Sequence, residues 1–304
     1  MQVAVIGGTG HIGGFLVPQL VELGCEVVVA TRGRRPKPAG KAWERVRLLA
    51  LPAERAPAFL AQQKPDVLID IVQQQATGYY EAMRGRVRQF IWCGSLWMLG
   101  PPAVVPTPEV RFGPALVEGY QRRVEELVEL QHRCRRDGAA FTAILPPNIA
   151  GPGKVPLDPA GGRSVEVHRS LAGGEAVTLF EGCNTLIGPC DAEDVAAGFR
   201  LAVERPDAAT GEMFNVGSEH ALTAEQLVAV YADIYGVHIP VRTVPFETFC
   251  REVVPDAAAR NHFIHHMCPD ITKARRKLGY RPRHSPAEAL ARAVEWMRGE
   301  GLLD

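Results

Sequence analysis

The chain has 304 residues, and its 34 Lys plus Arg balance 34 Asp plus Glu, so no net field recruits nucleic acid or an anionic membrane surface. Hydrophobic residues make up 46% and charged residues 22%, which fits a globular protein with a sizeable core and excludes a disordered or collagen-like chain. No apolar run reaches the ~18 residues of a membrane span, the N-terminal stretch lacks the basic region of a signal peptide, and the cysteines are scattered without a C-x-x-C pair. The expectation is a soluble cytoplasmic protein with reduced thiols and no metal site.

Gln2 to Ile6 is a short β-branched run of the kind that forms a buried parallel strand. Gly7-Gly8-Thr9-Gly10-His11-Ile12-Gly13 follows, then Phe15, Leu16, Leu20 and Val21 at helical spacing, then a second buried strand, Glu26 to Ala30. Strand, glycine turn, helix and strand in that order are the context a dinucleotide fingerprint requires. The early glycines permit the tight turn, Gly10 lets backbone N–H groups approach a pyrophosphate, and Gly13 lets the helix pack closely on the strand. The helix N-terminus adds partial positive charge. Cofactor contacts are therefore expected at Gly7, Thr9, Gly10, His11, Ile12 and Gly13.

The end of the second strand bears on which dinucleotide is bound. A NAD site places Asp or Glu there for the ribose 2′-hydroxyl. This chain has Thr31, followed by Arg32, Arg34 and Arg35, while Glu26 lies at the wrong end of the strand. Arginines without a carboxylate suit a 2′-phosphate, so NADP(H) is favoured over NAD(H). The competing reading is a solvated basic loop, since residues 32–47 hold seven Lys/Arg against one Glu.

The βα alternation continues with strands at 66–72 and 89–93, a helix at 117–136 and a strand at 140–145, which predicts an α/β, Rossmann-type doubly wound parallel sheet with ligands at the carboxyl ends of its strands. Gln73, next after the strand at 66–72, joins the expected cofactor contacts. Thr223 with Gln226, and Ser285 with Pro286 and Glu288, are capping boxes that start two late helices.

Read as G-x-x-G-x-x-G from Gly7, the turn resembles that of the extended and atypical short-chain dehydrogenase/reductases, which include the sugar-nucleotide epimerases; read from Gly8, it is G-x-G-x-x-G. The resemblance continues through Leu145-Pro146-Pro147-Asn148-Ile149-Ala150-Gly151-Pro152-Gly153, Asp191-Ala192-Glu193-Asp194-Val195-Ala196, Met213-Phe214-Asn215-Val216-Gly217 and the closing run 270–282. It implies a nucleotide-binding domain over 1–150, to which 186–236 returns, and a smaller substrate-binding region over 151–185 and 237–304. It also implies Ser95, at the end of strand 89–93, as the group that orients a substrate oxygen, and Tyr120 as the proton-transferring tyrosine. The competing readings are a strand-end turn serine and an amphipathic helix residue with a wet hydroxyl.

The family's lysine, four residues after the tyrosine, is replaced by Val124. Without that cation a phenol titrates near 10, and only about one in a thousand is ionised at pH 7. Alcohol oxidation needs the tyrosinate as base, whereas carbonyl reduction needs only the neutral phenol as acid, so reduction suffers less. Arg123, one turn from Tyr120, is a candidate electrostatic stand-in for that lysine, but the favoured expectation is that it faces solvent beside Arg122. Leu96 and Trp97 stand where 4,6-dehydratases carry an acid pair, and Leu145-Pro146-Pro147 lacks an arginine common in epimerases. Strand three ends Leu49-Ala50-Leu51-Pro52 without the usual Asp near the adenine.

These features point to an NADP(H)-dependent oxidoreductase that reduces a carbonyl of a small metabolite or sugar-like substrate. The alternatives are a catalytically impaired NAD(P)-binding regulator or scaffold, or a sugar-nucleotide epimerase. A third, RNA binding, is disfavoured by the neutral charge and the lack of an RNA module. His168, Arg163 and Arg169 are expected anion contacts of the substrate region. His262, His265, His266 and Cys268 are read as a polar loop beside the cleft rather than a zinc site. Val117, Leu127 and Val128 serve either a homodimer contact or the core. No nucleic acid or membrane partner is expected.

Overall fold

The computed structural model describes all 304 residues. Seven strands form the central sheet: β1 (Gln2–Ile6), β2 (Glu26–Thr31), β3 (Arg47–Ala50), β4 (Val67–Asp70), β5 (Gln89–Cys93), β6 (Ala140–Leu145) and β7 (Glu212–Asn215). Their spatial order is β7-β6-β5-β4-β1-β2-β3, with every pairing parallel. The order reverses beside β1, so the topological switch point falls between the carboxyl ends of β1 and β4.

The strands read as near-continuous apolar runs because both faces of the sheet are covered. Val3, Val5, Val27, Val29, Ile91 and Cys93 face one core cluster, filled from the other side by helices α1 (His11–Glu22) and Ala192–Glu204. The alternate residues Ala4, Ile6, Val28, Ala30, Phe90 and Trp92 face a second cluster beneath the helices Ala56–Gln62, Ala76–Ala82 and Glu118–Asp137. A third cluster gathers residues between Ala150 and Val294, including Leu179, Leu227, Tyr231, Phe249, Phe263 and Leu290. At about 25 cal/mol per Å² of apolar surface removed from water, such clusters supply the main drive for folding.

The predicted elements match with small shifts at their ends. The helix expected over 117–136 runs Glu118–Asp137 and stops at Gly138, which adopts the left-handed conformation of a helix cap. Both capping boxes form, at Thr223/Gln226 and at Ser285/Glu288. The strand expected over 66–72 is shorter, because the Asp70 carboxylate accepts the Val72 and Gln73 amides and turns the chain at Asp70. On helix Glu118–Asp137, Leu127 goes to the core, whereas Val128 is 44% exposed. No helix is long and apolar enough to cross a membrane.

Candidate functional site

A cleft of about 540 Å³ opens at the switch point, lined by the glycine turn, the ends of β2 and β4, and Lys154. The turn is tight for identifiable reasons. Gly7 has φ +84°, and a Cβ there would meet Val72 Cγ2 at 2.5 Å. A Cβ on Gly13 would sit 2.4 Å from the Gly8 carbonyl oxygen, so this glycine lets α1 close onto the turn itself rather than onto the strand. Gly10 is the N-cap of α1, and neither it nor any neighbouring side chain caps the helix, which leaves first-turn N–H groups for a ligand.

The other expected cofactor residues divide. Thr9, His11, Arg32, Arg34 and Arg35 line the cleft with Gly7 and Gly10. Thr9 Oγ1 lies 3.3 Å from Thr31 Oγ1 and ties the turn to the end of β2. Ile12 is buried in the first core cluster, so its side chain does not reach the cleft. Gln73 also departs from expectation: its side chain donates to the Gly94 carbonyl (3.1 Å) and its neighbours Gln74 and Gln75 line the cleft instead. Leu51 forms part of the wall at the position where the sequence lacks an acid.

An acid and a lysine in the cleft also escape sequence reasoning. Asp70 is wholly buried at the end of β4; one oxygen accepts two backbone amides, while Oδ2 has no protein partner. Burial pushes its pKa up to about 6, even though both amides favour the anion. Its only sequence signal is an acid ending the apolar run Val67-Leu68-Ile69. Lys154 arrives from a glycine-bounded loop with no periodicity to flag it. Loss of solvent draws its ammonium down to about 8, with Arg163 and Arg35 adding repulsion. His11 lies 3.2 Å from the Gly151 carbonyl through Nε2, and burial lowers it to about 4, so it is a neutral donor to that carbonyl.

Ser95 and Tyr120 do not line this cleft. Ser95 is buried at the end of β5, where Oγ accepts the Trp97 N–H (3.3 Å) and caps a short 3₁₀ turn, Leu96–Leu99. Its own O–H remains free to donate. Tyr120 opens helix Glu118–Asp137 and packs against the second core cluster. Val124 is 2% exposed within that cluster. Arg123 does not face solvent as expected: it is half-buried, with its guanidinium 4.5 Å from the centroid of the Tyr120 ring.

In the region after β6, the expected anion contacts separate. His168 is wholly buried, with Nδ1 3.0 Å from Tyr235 Oη and Nε2 3.2 Å from the Pro156 carbonyl; it is a core histidine whose bonding groups are taken. Arg169 is exposed on helix Val165–Ala172. Arg163 turns inward and donates to the Val155 (2.8 Å) and Ile149 (2.9 Å) carbonyls. In the late His/Cys run, His265 is partly buried. His266 Nδ1 accepts the Leu186 amide, Cys268 is buried, and His262 packs edge-on to Trp97 at 4.8 Å.

The sequence model of the NAD dependent epimerase/dehydratase family matches residues 3–217. A 2′-dehydrokanamycin reductase of Streptomyces kanamyceticus is 29% identical over 120 residues, which cover 39% of this chain and 34% of that enzyme. A dTDP-glucose 4,6-dehydratase of Streptomyces antibioticus is 32% identical over 88 residues, covering 29% of this chain and 23% of that one. The chain thus spans about a third or less of the length of the curated relatives it matches. Among solved structures, a UDP-glucose 4-epimerase of Thermotoga maritima with UDP-glucose superposes over 99% of both chains, with a TM-score of 0.76 at 22% identity, a likeness of fold.

Proposed function

The chain belongs to the NAD-dependent epimerase/dehydratase family, and from that premise we propose that it is an NADP(H)-dependent reductase of a carbonyl on a small metabolite or sugar-like molecule. The observation that carries the NADP(H) preference is the group Arg32, Arg34 and Arg35 on the cleft wall, next to Thr31 where a NAD site holds an acid. Their guanidiniums would grip a 2′-phosphate by charge-assisted hydrogen bonds, and the free N–H groups at the start of α1 would hold the pyrophosphate. The glycine turn fits such a cradle, since side chains at Gly7 or Gly13 would fill it or push it apart.

A nicotinamide dinucleotide supplies hydride when bound. In this reading Tyr120 gives its phenolic proton to the substrate oxygen as the carbonyl π bond breaks, and Ser95 orients that oxygen with its free O–H. Tyr120 regains its proton from water. Reduction asks only for the neutral phenol as acid. The regulator reading keeps a specific support, the burial of Val124 in the core, and predicts nucleotide binding without turnover. The epimerase reading rests on likeness of fold.

The test is the affinity of the purified protein for NADPH and NADH, followed by quenching of its four tryptophans. NADPH should bind at least about tenfold tighter, and replacing Arg32, Arg34 and Arg35 with Ala should close the gap while sparing NADH. Equal affinities in the wild type would overturn the preference. For any aldehyde or ketone the protein reduces, Tyr120→Phe should lose most turnover, and unchanged turnover would remove Tyr120 from the chemistry.

A further inference from the structure

We infer that Arg123 takes the electrostatic part of the family lysine, acting one residue earlier on the same helix to hold the Tyr120 ring and favour its oxyanion. The inference rests on the reading of Tyr120 as the proton-transferring group. Positions three and four residues after Tyr120 both lie beside it on the helix, one to each side. Val124 takes the side that faces the core, along with Leu127, Leu130 and Cys134. Position 123 is left on the other side, and Arg123 is drawn in over the ring rather than out to solvent. Its charge also bears on Cys93, the last residue of β5 and two residues before Ser95.

A cation over an aromatic face is attracted by the ring quadrupole, and the attraction grows when the phenol ionises and the ring system carries a full negative charge. The surrounding groups leave this role to few residues. Arg163, from the loop after β6, is also within electrostatic reach of Tyr120. The 3₁₀ turn Leu96–Leu99 and β6 bring no charge. On helix Ala76–Ala82, Glu81 pairs with Arg133, and on Tyr120's own helix Glu126 accepts the Thr77 amide. From helix Ala257–Ile264, Asn261 donates to the Leu116 carbonyl, and His262 is neutral because burial and Arg163 hold it down to about 4. Burial pushes the Cys93 thiol up to about 12, so it too is uncharged at neutral pH.

The test is an ultraviolet titration of tyrosinate in the intact protein, comparing wild type, Arg123→Met and Arg123→Lys, each against the same protein carrying Tyr120→Phe. The background is quiet: the chain has six tyrosines, and burial pushes Tyr79 and Tyr235 up to about 12 and raises Tyr80, Tyr231 and Tyr280 as well. In Arg123→Met the Tyr120 midpoint should rise by about half a unit to one unit, and Arg123→Lys should keep most of the wild-type value. Identical midpoints in wild type and Arg123→Met would overturn the inference. The titration uses neither nucleotide nor substrate, so that result would leave the reductase reading to its own test. Turnover that survives Tyr120→Phe would instead remove the reading, whatever the titration shows.

Discussion

Asp70 offers a direct test of the electrostatics of the cleft. It is wholly buried, one oxygen is bonded to two amides and the other has no protein partner. Burial moves its pKa from the usual 3.8 to about 6. A raised carboxyl pKa means that the folded state holds the proton more tightly than the unfolded state does. The associated stability is fully present below about pH 4 and is lost as pH rises through about 6. The gap of roughly two pH units corresponds to about 3 kcal/mol, an upper figure because buried carboxylates relax. Asp70→Asn keeps an oxygen for the Val72 and Gln73 amides and cannot ionise. Urea unfolding followed by tryptophan fluorescence, at half-unit steps from pH 4 to pH 8, should show the wild type losing stability relative to Asp70→Asn across this window, then running parallel to it above about pH 7. Curves that stay parallel throughout, with equal m-values, would show that Asp70 titrates as it does in water and that burial does not govern it.

Two further predictions concern backbone fit and the missing lysine. Gly13→Ala forces α1 off the Gly8 carbonyl, because its Cβ would start 2.4 Å from that oxygen; it should destabilise by about 2 kcal/mol and weaken NADPH binding about tenfold or more. On the same helix Gly14 has nothing within 4 Å of its would-be Cβ, so Gly14→Ala should be neutral or slightly stabilising, and equal losses in the two variants would refute the packing argument. Val124→Lys places an ammonium at a position 2% exposed, so its urea midpoint should fall by the equivalent of about 3 kcal/mol with no gain in turnover. A stable variant with new activity would show that position 124 reaches the cleft.

The sequence by itself determined the layered fold, because that information is local. Runs such as Val3 to Ile6 are apolar at every position, which suits only a strand buried on both faces. Gly7 to Gly13 between such runs marks a turn that needs room for backbone, and Thr223 and Ser285 start helices through bonds to residues three positions away. The basic wall of the cleft was legible for the same reason, since Arg32, Arg34 and Arg35 follow β2 directly. Only the tertiary structure decided which side chains share a space. Lys154 reaches the cleft from more than a hundred residues beyond the arginines, and Asp70 is exceptional only because the sheet seals it from water. His168 looked like an anion contact until Tyr235 and Pro156 took both its nitrogens. Arg123 follows the same logic. Helical spacing puts it beside Tyr120, but whether it turns to the ring or to water depends on Val124 claiming the core, and that is settled by packing across the helix and sheet.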